Sequence, residues 1–325
     1  MSEPETHWSQ EQIAQLFELP LPELLYRAQE AHRRHFDPGQ VQACSLLSIK
    51  TGACSEDCAY CAQSAHYSTG LEREGLTDVA TVRAAARQAR QAGATRLCMG
   101  AAWRGPGEGD LDTLIAMVQA VKAEGLEACL SAGVLAEGQA ERLAEAGLDY
   151  FNHNLDTSAS YYDQVVSTRS YEERLATLER IRRAGMRVCS GGIIGLGERR
   201  ADRVEMIQTL ANQPVPPQSV PINQLIPIPG TPLEEAEPVD PFEMVRTIAA
   251  ARIAMPGSYV RLAAGRERMS DELQALCFAA GANSIFLGDR LLTTGNADAE
   301  RDRELLARLG MGLEPHEHAC AELEP

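Results

Sequence analysis

Basic residues are in short supply in this chain: 30 Lys and Arg stand against 46 Asp and Glu, a formal net charge of −16. Nucleic acid and anionic membrane surfaces both demand basic patches, so neither is expected as a partner. No apolar run approaches the roughly 18 residues that a membrane helix needs. The start, Met1-Ser2-Glu3-Pro4-Glu5-Thr6, lacks the basic and apolar regions of a signal peptide. The expectation is a cytoplasmic protein whose thiols stay reduced. Nine cysteines in 325 residues are too sparse for a disulfide scaffold. A Walker loop is missing, as is a G-x-G-x-x-G after the first expected strand, which argues against a doubly wound nucleotide-binding sheet.

What is present is a repeating α/β pattern. Residues 9–35 read as two helices broken at Leu19-Pro20-Leu21-Pro22, because proline restarts a helix rather than continuing one. Short apolar runs then fall at 42–50, 96–101, 127–132, 149–155, 186–191, 219–226, 259–263 and 284–288. Helix-period stretches lie between them, near 78–92, 110–124, 137–146, 171–184, 200–212, 240–255 and 269–280, with a last helix at 298–309. Five of these end at a glycine stop: Gly93, Gly125, Gly147, Gly185 and Gly281. Eight βα units in succession predict an α/β (β/α)8 TIM barrel, residues 39–312, behind an N-terminal helical extension, residues 1–38. Residues 313–325, with His316, His318 and Cys320, are acidic and lack periodicity, so a disordered tail is expected there rather than a metal site.

The densest chemistry is Cys54-Ser55-Glu56-Asp57-Cys58-Ala59-Tyr60-Cys61, three thiols within eight residues. Iron–sulfur clusters are held by cysteinate, usually four. Three so close can hold three corners of a cubane and leave one iron open to react. A zinc site would need a second ligand pair downstream, and no second C-x-x-C or H-x(3–5)-H occurs. A redox dithiol would not need the third cysteine.

A second constellation is spread over the strands. Cys98, Cys129, Cys189 and Arg261 each sit between apolar neighbours that suit the outer, helix-facing side, so strand alternation turns these four into the barrel. A single buried cysteine is commonly a small hydrophobe. An inward arginine is different, because its charge needs an anion beside it. Read from physics alone, Arg261 is a counter-cation, since guanidinium keeps its proton. Cys44, Cys277 and Cys320 fit neither group and read as structural or idle.

At the loop, the pattern C-x-x-x-C-x-aromatic-C resembles the radical S-adenosylmethionine (SAM) superfamily. That resemblance implies a 4Fe–4S cluster on Cys54, Cys58 and Cys61, with SAM chelated at the open iron and cleaved to a 5′-deoxyadenosyl radical. From about Pro22 to Leu309 the chain further resembles the biotin synthase family, in which three strand cysteines and an arginine ligate a 2Fe–2S cluster. The matching positions are Cys98, Cys129, Cys189 and Arg261, so the resemblance makes the arginine a ligand where the physics made it a counter-cation. The family implies sulfur insertion into dethiobiotin, a flavodoxin-type electron donor, iron–sulfur assembly proteins and a homodimer.

Other residues take roles on the same footing. Asn152, Asn154 and Asp156 alternate along the end of the fourth strand, and Asn154 and Asp156 can bind vicinal hydroxyls. The resemblance makes these the ribose hydroxyls of SAM, with Asn152 and Asn154 near dethiobiotin; the plain alternative is a helix cap at Asp156-Thr157. Gly100, in Gly100-Ala101-Ala102-Trp103, matches a turn that binds the SAM amino group. Gly192, in the run Gly191–Glu198, matches an adenine contact, although alone that run could be any tight βα turn. Tyr60, Ile226 and Arg174 complete the SAM set, Arg174 toward the carboxylate, and Asn223 matches the residue that binds the ureido ring. Ser55 and Ala62 stand where the family often has proline, which implies only altered loop stiffness. Another radical SAM enzyme on the same barrel, such as a lipoyl synthase or a methylornithine-synthase-like mutase, is the nearest alternative. The former needs an additional N-terminal cysteine triplet, absent here, and the latter lacks the barrel cysteines. A non-catalytic zinc- or cluster-binding scaffold is the alternative from another class, and it would not need the SAM-facing polar groups.

Overall fold

The structure, a computed structural model, describes residues 7–315. Helices α1 (Gln10–Glu18) and α2 (Leu21–Arg33) come first. The break between them falls at Leu19-Pro20, with Pro22 in the first turn of α2, where a missing N–H costs nothing. The barrel follows as β1 (Gln40–Lys50), α3 (Val79–Gln91), β2 (Arg96–Ala101), α4 (Glu108–Ala123), β3 (Glu127–Ser131), α5 (Gln139–Glu145) and β4 (Tyr150–Asn152). Next come α6 (Ala159–Tyr162), α7 (Tyr171–Arg183), β5 (Arg187–Cys189), β6 (Gly192–Ile194), α8 (Arg200–Ala211) and β7 (Ser219–Gln224). The chain closes with α9 (Pro241–Ala254), β8 (Tyr259–Leu262), α10 (Asp271–Ala279), β9 (Ser284–Phe286), α11 (Ala299–Arg308) and β10 (Gly312–Leu313).

All strand pairings within these elements are parallel, in the order β1-β2-β3-β4-β5-β7-β8-β9, and β9 returns to β1 through Gln42↔Ser284, Ala43↔Ile285 and Cys44↔Phe286. That closure makes the eight-stranded TIM barrel expected from the repeat. All five glycine stops adopt positive φ. Two strands were not foreseen. The stretch Gly192–Ile194 was expected to be part of a turn, but β6 pairs with β7. A Cβ on Gly191 would meet the Pro221 carbonyl oxygen at 2.0 Å, so only glycine lets the backbones approach this closely. The second is β10, which pairs with β1; Gly312 N–H donates to Gly39 O at 2.8 Å and Glu314 N–H to Val41 O at 2.9 Å. Leu313 and Glu314 are thus part of the barrel's lower rim rather than of a disordered tail. His316, His318 and Cys320 lie outside the described residues.

The core divides as alternation requires. Leu97, Met99, Ala128, Leu130, Val188, Val260 and Leu262 join the large apolar layer between strands and helices. Cys44, Cys98, Cys129, Tyr150 and Cys189 form a separate cluster inside the barrel, with Leu46 and Phe286 packed against it.

Candidate active site

The three-thiol loop leaves the C-terminal end of β1, the face of a TIM barrel where active sites open. Gly52 and Ala53 both take left-handed backbone, φ 72° and 53°, to turn the chain out of the strand. The loop is then zipped at its base: Cys54 N–H donates to Gln63 O at 2.9 Å, Ala65 N–H to Cys54 O at 2.7 Å, and Gly52 N–H to Gln63 Oε1 at 3.2 Å. Its far side is pinned to residues 167–169. Glu56, 2% exposed, accepts from Arg104 at 3.0 Å and Thr168 at 2.9 Å and pairs with Arg169 at 3.4 Å. Burial pushes the Asp57 carboxyl up, but hydrogen bonds from Ser167 and Thr168 outweigh it and hold the group down at about 2. These anchors, invisible as a motif, orient the thiols before any metal arrives.

Burial pushes the Cys58 thiol up to about 12 and that of Cys61 to about 11, and raises Cys54 as well. Beside them lies a cavity of about 240 Å3 whose wall includes Tyr60, Cys61, Asn154, Asp156, Asn223 and Ile226. Leu291, Leu292, Thr293 and Thr294, from the segment after β9, form the opposite wall. Asn223 is fixed on both sides: its Nδ2 donates to Gly192 O at 3.0 Å and its Oδ1 accepts from Ala264 N–H at 3.1 Å. Gly100 lies within β2, and a Cβ there would meet Leu292 at 2.6 Å, so glycine lets that wall come close.

Asn152, Asn154 and Asp156 do not follow one strand. β4 stops at Asn152, and Asp156 is left-handed at φ 68°. Nor is Asp156 a helix cap; that place is taken by Ser158, which caps α6. Asp156 is 2% exposed and accepts from the Tyr60 hydroxyl at 2.9 Å and from Arg174 Nη2. Arg174 also donates to the Tyr162 hydroxyl and to Asn154 O, each at 2.6 Å. It stands behind Asp156, buried, with each of its three nitrogens donating to protein. A Cβ on Gly192 would meet Met206 Sδ at 2.0 Å and Asp156 O at 2.8 Å, so this glycine is what lets β6 lie against the Asp156 turn. His153 is buried and held well below the ordinary imidazole range by burial, hence neutral.

Below the cavity, register sets Cys98 opposite Cys129 and Asn152 opposite Cys189. The thiols form a file: Cys98 and Cys129 face each other in register, and Cys44 and Cys189 pack into the same cluster. The neighbouring Cys129 thiol pulls Cys189 down to about 6 against its burial, and Cys98 is lowered by Cys129 and Cys44, while Cys129 and Cys44 are themselves raised. Arg261, 1% exposed, spans the gap, with Nη1 4.0 Å from Cys189 Sγ and Nη2 3.0 Å from Cys44 Sγ. Burial would lower its pKa, but Cys44, Cys98 and Cys189 outweigh that and raise it, so the guanidinium stays charged. Its hydrogen-bond partners are these sulfurs, Ser284 at 2.9 Å and Gln42 at 3.5 Å, with no carboxylate among them. Asn152 joins the two levels, its Nδ2 lying 3.1 Å from Asn154 Oδ1 and 3.3 Å from Cys189 Sγ. The sequence reading left Cys44 idle, and only barrel closure brings it to this group.

Both sets fit iron–sulfur groups by donor chemistry. Among the described residues no three His, Cys, Asp or Glu side chains converge to hold a single metal ion. Each set supplies at least three thiols, the ligand type by which iron–sulfur clusters are held. The buried Arg261 charge needs the anion that thiolates and sulfide would supply.

The chain is similar to known proteins along its whole length. Residues 48–210 match the Radical SAM superfamily, and residues 221–312 the Biotin and Thiamin Synthesis associated domain. A biotin synthase of Halorhodospira halophila is 79% identical, with 100% of both chains covered. One of Alkalilimnicola ehrlichii is 66% identical over 99% of this chain and 96% of the relative. The crystal structure of methylornithine synthase superposes with a TM-score of 0.81 at 19% identity, covering 97% of this chain and 96% of that one, and shares the fold. The two matched segments and the end-to-end similarity place the chain in the biotin synthase family of radical SAM enzymes.

Proposed function

We propose that the chain inserts sulfur into dethiobiotin to make biotin, using SAM as radical source and a barrel-floor cluster as sulfur source. The observation that carries this is the stacking of two thiol sets at two heights of one barrel, with the asparagine amides between them. A substrate must lie between a radical generator and a sulfur donor, and here one cavity is lined by Cys61 and by Leu46 and Phe286, which pack against the lower thiols.

In this reading Cys54, Cys58 and Cys61 hold a 4Fe–4S cluster, and Cys98, Cys129, Cys189 and Arg261 hold a 2Fe–2S cluster. When bound, the upper cluster supplies the electron that cleaves SAM to a 5′-deoxyadenosyl radical, and the lower supplies sulfur. Asp156 and Asn154 face the SAM ribose, while Gly100, Gly192, Tyr60 and Ile226 shape the remaining SAM site. Arg174 holds Asp156 aimed through its ion pair, a positioning role that follows from its place behind that carboxylate. Asn152, Asn154 and Asn223 face dethiobiotin, Asn223 toward the ureido ring, whose donors and acceptors match a fixed amide. The wall at 291–294 keeps water from the radical. A flavodoxin-type donor, iron–sulfur assembly proteins and a homodimer complete the proposal.

The test is an anaerobic single turnover with dethiobiotin, SAM and a reductant, following 5′-deoxyadenosine and biotin by mass spectrometry. The parent chain should make both. A Cys98→Ser/Cys129→Ser/Cys189→Ser variant should make deoxyadenosine and no biotin, and Cys58→Ser should make neither. Biotin from the triple variant would reduce the barrel cysteines to core residues.

A further inference from the structure

Two cysteines outside the expected ligand sets are fully buried, and they differ. Cys277, 0% exposed on α10, lies in the apolar layer under the helices, where burial pushes its thiol up to about 12. It behaves as a small hydrophobe. Cys44, also 0% exposed, points the other way, into the barrel. Strand alternation puts Gln42, Cys44 and Leu46 on the inner face of β1, and all three border the lower site: Gln42 bonds Arg261, and Leu46 packs on the thiol cluster.

The inner face therefore carries four thiols, on β1, β2, β3 and β5. In order round the barrel they are Cys44, Cys98, Cys129 and Cys189, packed into one buried cluster. Arg261, from β8, reaches back to both ends of the file, 3.0 Å to Cys44 and 4.0 Å to Cys189, and closes a ring. An iron–sulfur cluster is ordinarily held by four thiolates. A guanidinium presents five donors and no lone pair while it keeps its proton. At the one point where the three other cysteines leave a position to an arginine, this chain sets a sulfur against that arginine's own nitrogen.

We propose that Cys44 can take the fourth ligand position of the lower cluster, the one given above to Arg261, so that the two residues are interchangeable there. This rests on the reading of the lower site as a cluster site. With Cys44 bound to iron, Arg261 remains as the hydrogen-bonding cation of the ring, the role that buried guanidinium chemistry favours. Phe286, which packs against the thiol cluster, has its ring 4.7 Å from the Arg261 guanidinium and helps to keep that cation in place.

The test isolates the lower site in the full chain by Cys54→Ser/Cys58→Ser/Cys61→Ser. This parent is reconstituted anaerobically with ferrous iron and sulfide, then desalted. Iron, sulfide, visible absorption and Mössbauer parameters are measured on it and on two derivatives. The derivative with Arg261→Met should keep its iron and sulfide, with Mössbauer parameters of all-thiolate coordination. Adding Cys44→Ser to Arg261→Met should reduce retained iron by at least about tenfold. Cys44→Ala in the same background repeats the comparison, and thermal melts of the metal-free chains establish that each variant folds. If Arg261→Met empties the site as thoroughly as the double variant, or if the double variant keeps its iron, Cys44 is not a ligand. A parent that takes up no iron would instead overturn the lower-cluster reading itself.

Discussion

Two thiol sites share this barrel, and they are built in opposite ways. The upper set comes from eight consecutive residues on a loop that its own backbone closes and that Glu56 and Asp57 pin. The lower set comes from strands far apart in sequence; Arg261 and Cys44, in contact at 3.0 Å, are 217 positions apart. Each site also has a buried arginine, differently compensated. Arg174 has the Asp156 carboxylate, whereas Arg261 has sulfur. The upper site is therefore electrostatically complete before metal binds, and the lower one completes its charge balance with thiolate.

The strongest way to break this contrast is to remove the upper carboxylate. Asp156→Asn keeps a hydrogen-bonding oxygen but leaves Arg174 as a buried, unpaired charge. The expected loss is about 3–5 kcal/mol of stability in the metal-free chain, read by denaturant unfolding. A loss below about 1 kcal/mol would mean that the hydroxyl and carbonyl partners of Arg174 suffice.

Glu56→Gln tests the anchoring of the loop. It removes the charge that Arg104 and Arg169 share, and upper-cluster loading should fall about 10- to 100-fold while the lower site loads as before. Iron counts on chains that each keep one thiol set would separate the two.

The pH dependence sharpens the comparison further. Cys58 and Cys61, held up at about 12 and 11, carry protons at neutral pH, so ligation must release them. Upper-site loading should rise with pH by up to about tenfold per unit for each proton released. At the lower site Cys129 and Cys44 are raised as well, but Cys98 is lowered and Cys189 is pulled down to about 6, so fewer protons remain to be released there. The lower site should therefore show the shallower slope between pH 7 and 9 in equilibrium loading titrations. Equal slopes would show that the thiols of both sites are alike before metal binds.

The smallest effect is expected at the amide that joins the two levels. Asn152→Ala removes the donor 3.3 Å from Cys189 Sγ and should shift the lower cluster's midpoint potential by the equivalent of about 1 kcal/mol. Deoxyadenosine formation with SAM alone should stay unchanged, and a large drop there would place Asn152 in the SAM site instead.

Much of this molecule was open to a reader of the sequence. Helix-period segments ending in glycine alternate with short apolar runs, and that rhythm specifies a barrel because each βα unit must bury one face on the next. The three-thiol loop was equally plain, its spacing being local chemistry. Inward-facing Cys98, Cys129, Cys189 and Arg261 followed from alternation alone. The role of Cys44 did not, since nothing within β1 distinguishes a sulfur facing other thiols from a sulfur facing helices such as Cys277. Asp156 was read as the third member of an alternating strand, yet β4 ends earlier and the residue turns left-handed to meet Tyr60 and Arg174. Sequence by itself determined the repeat, the loop and which strand faces are polar, because these depend on neighbours a few residues away. Tertiary structure alone decided which thiols cluster, which arginine has a carboxylate and how the loop is pinned, because barrel closure, register and loop packing set contacts between residues from 18 to 217 positions apart.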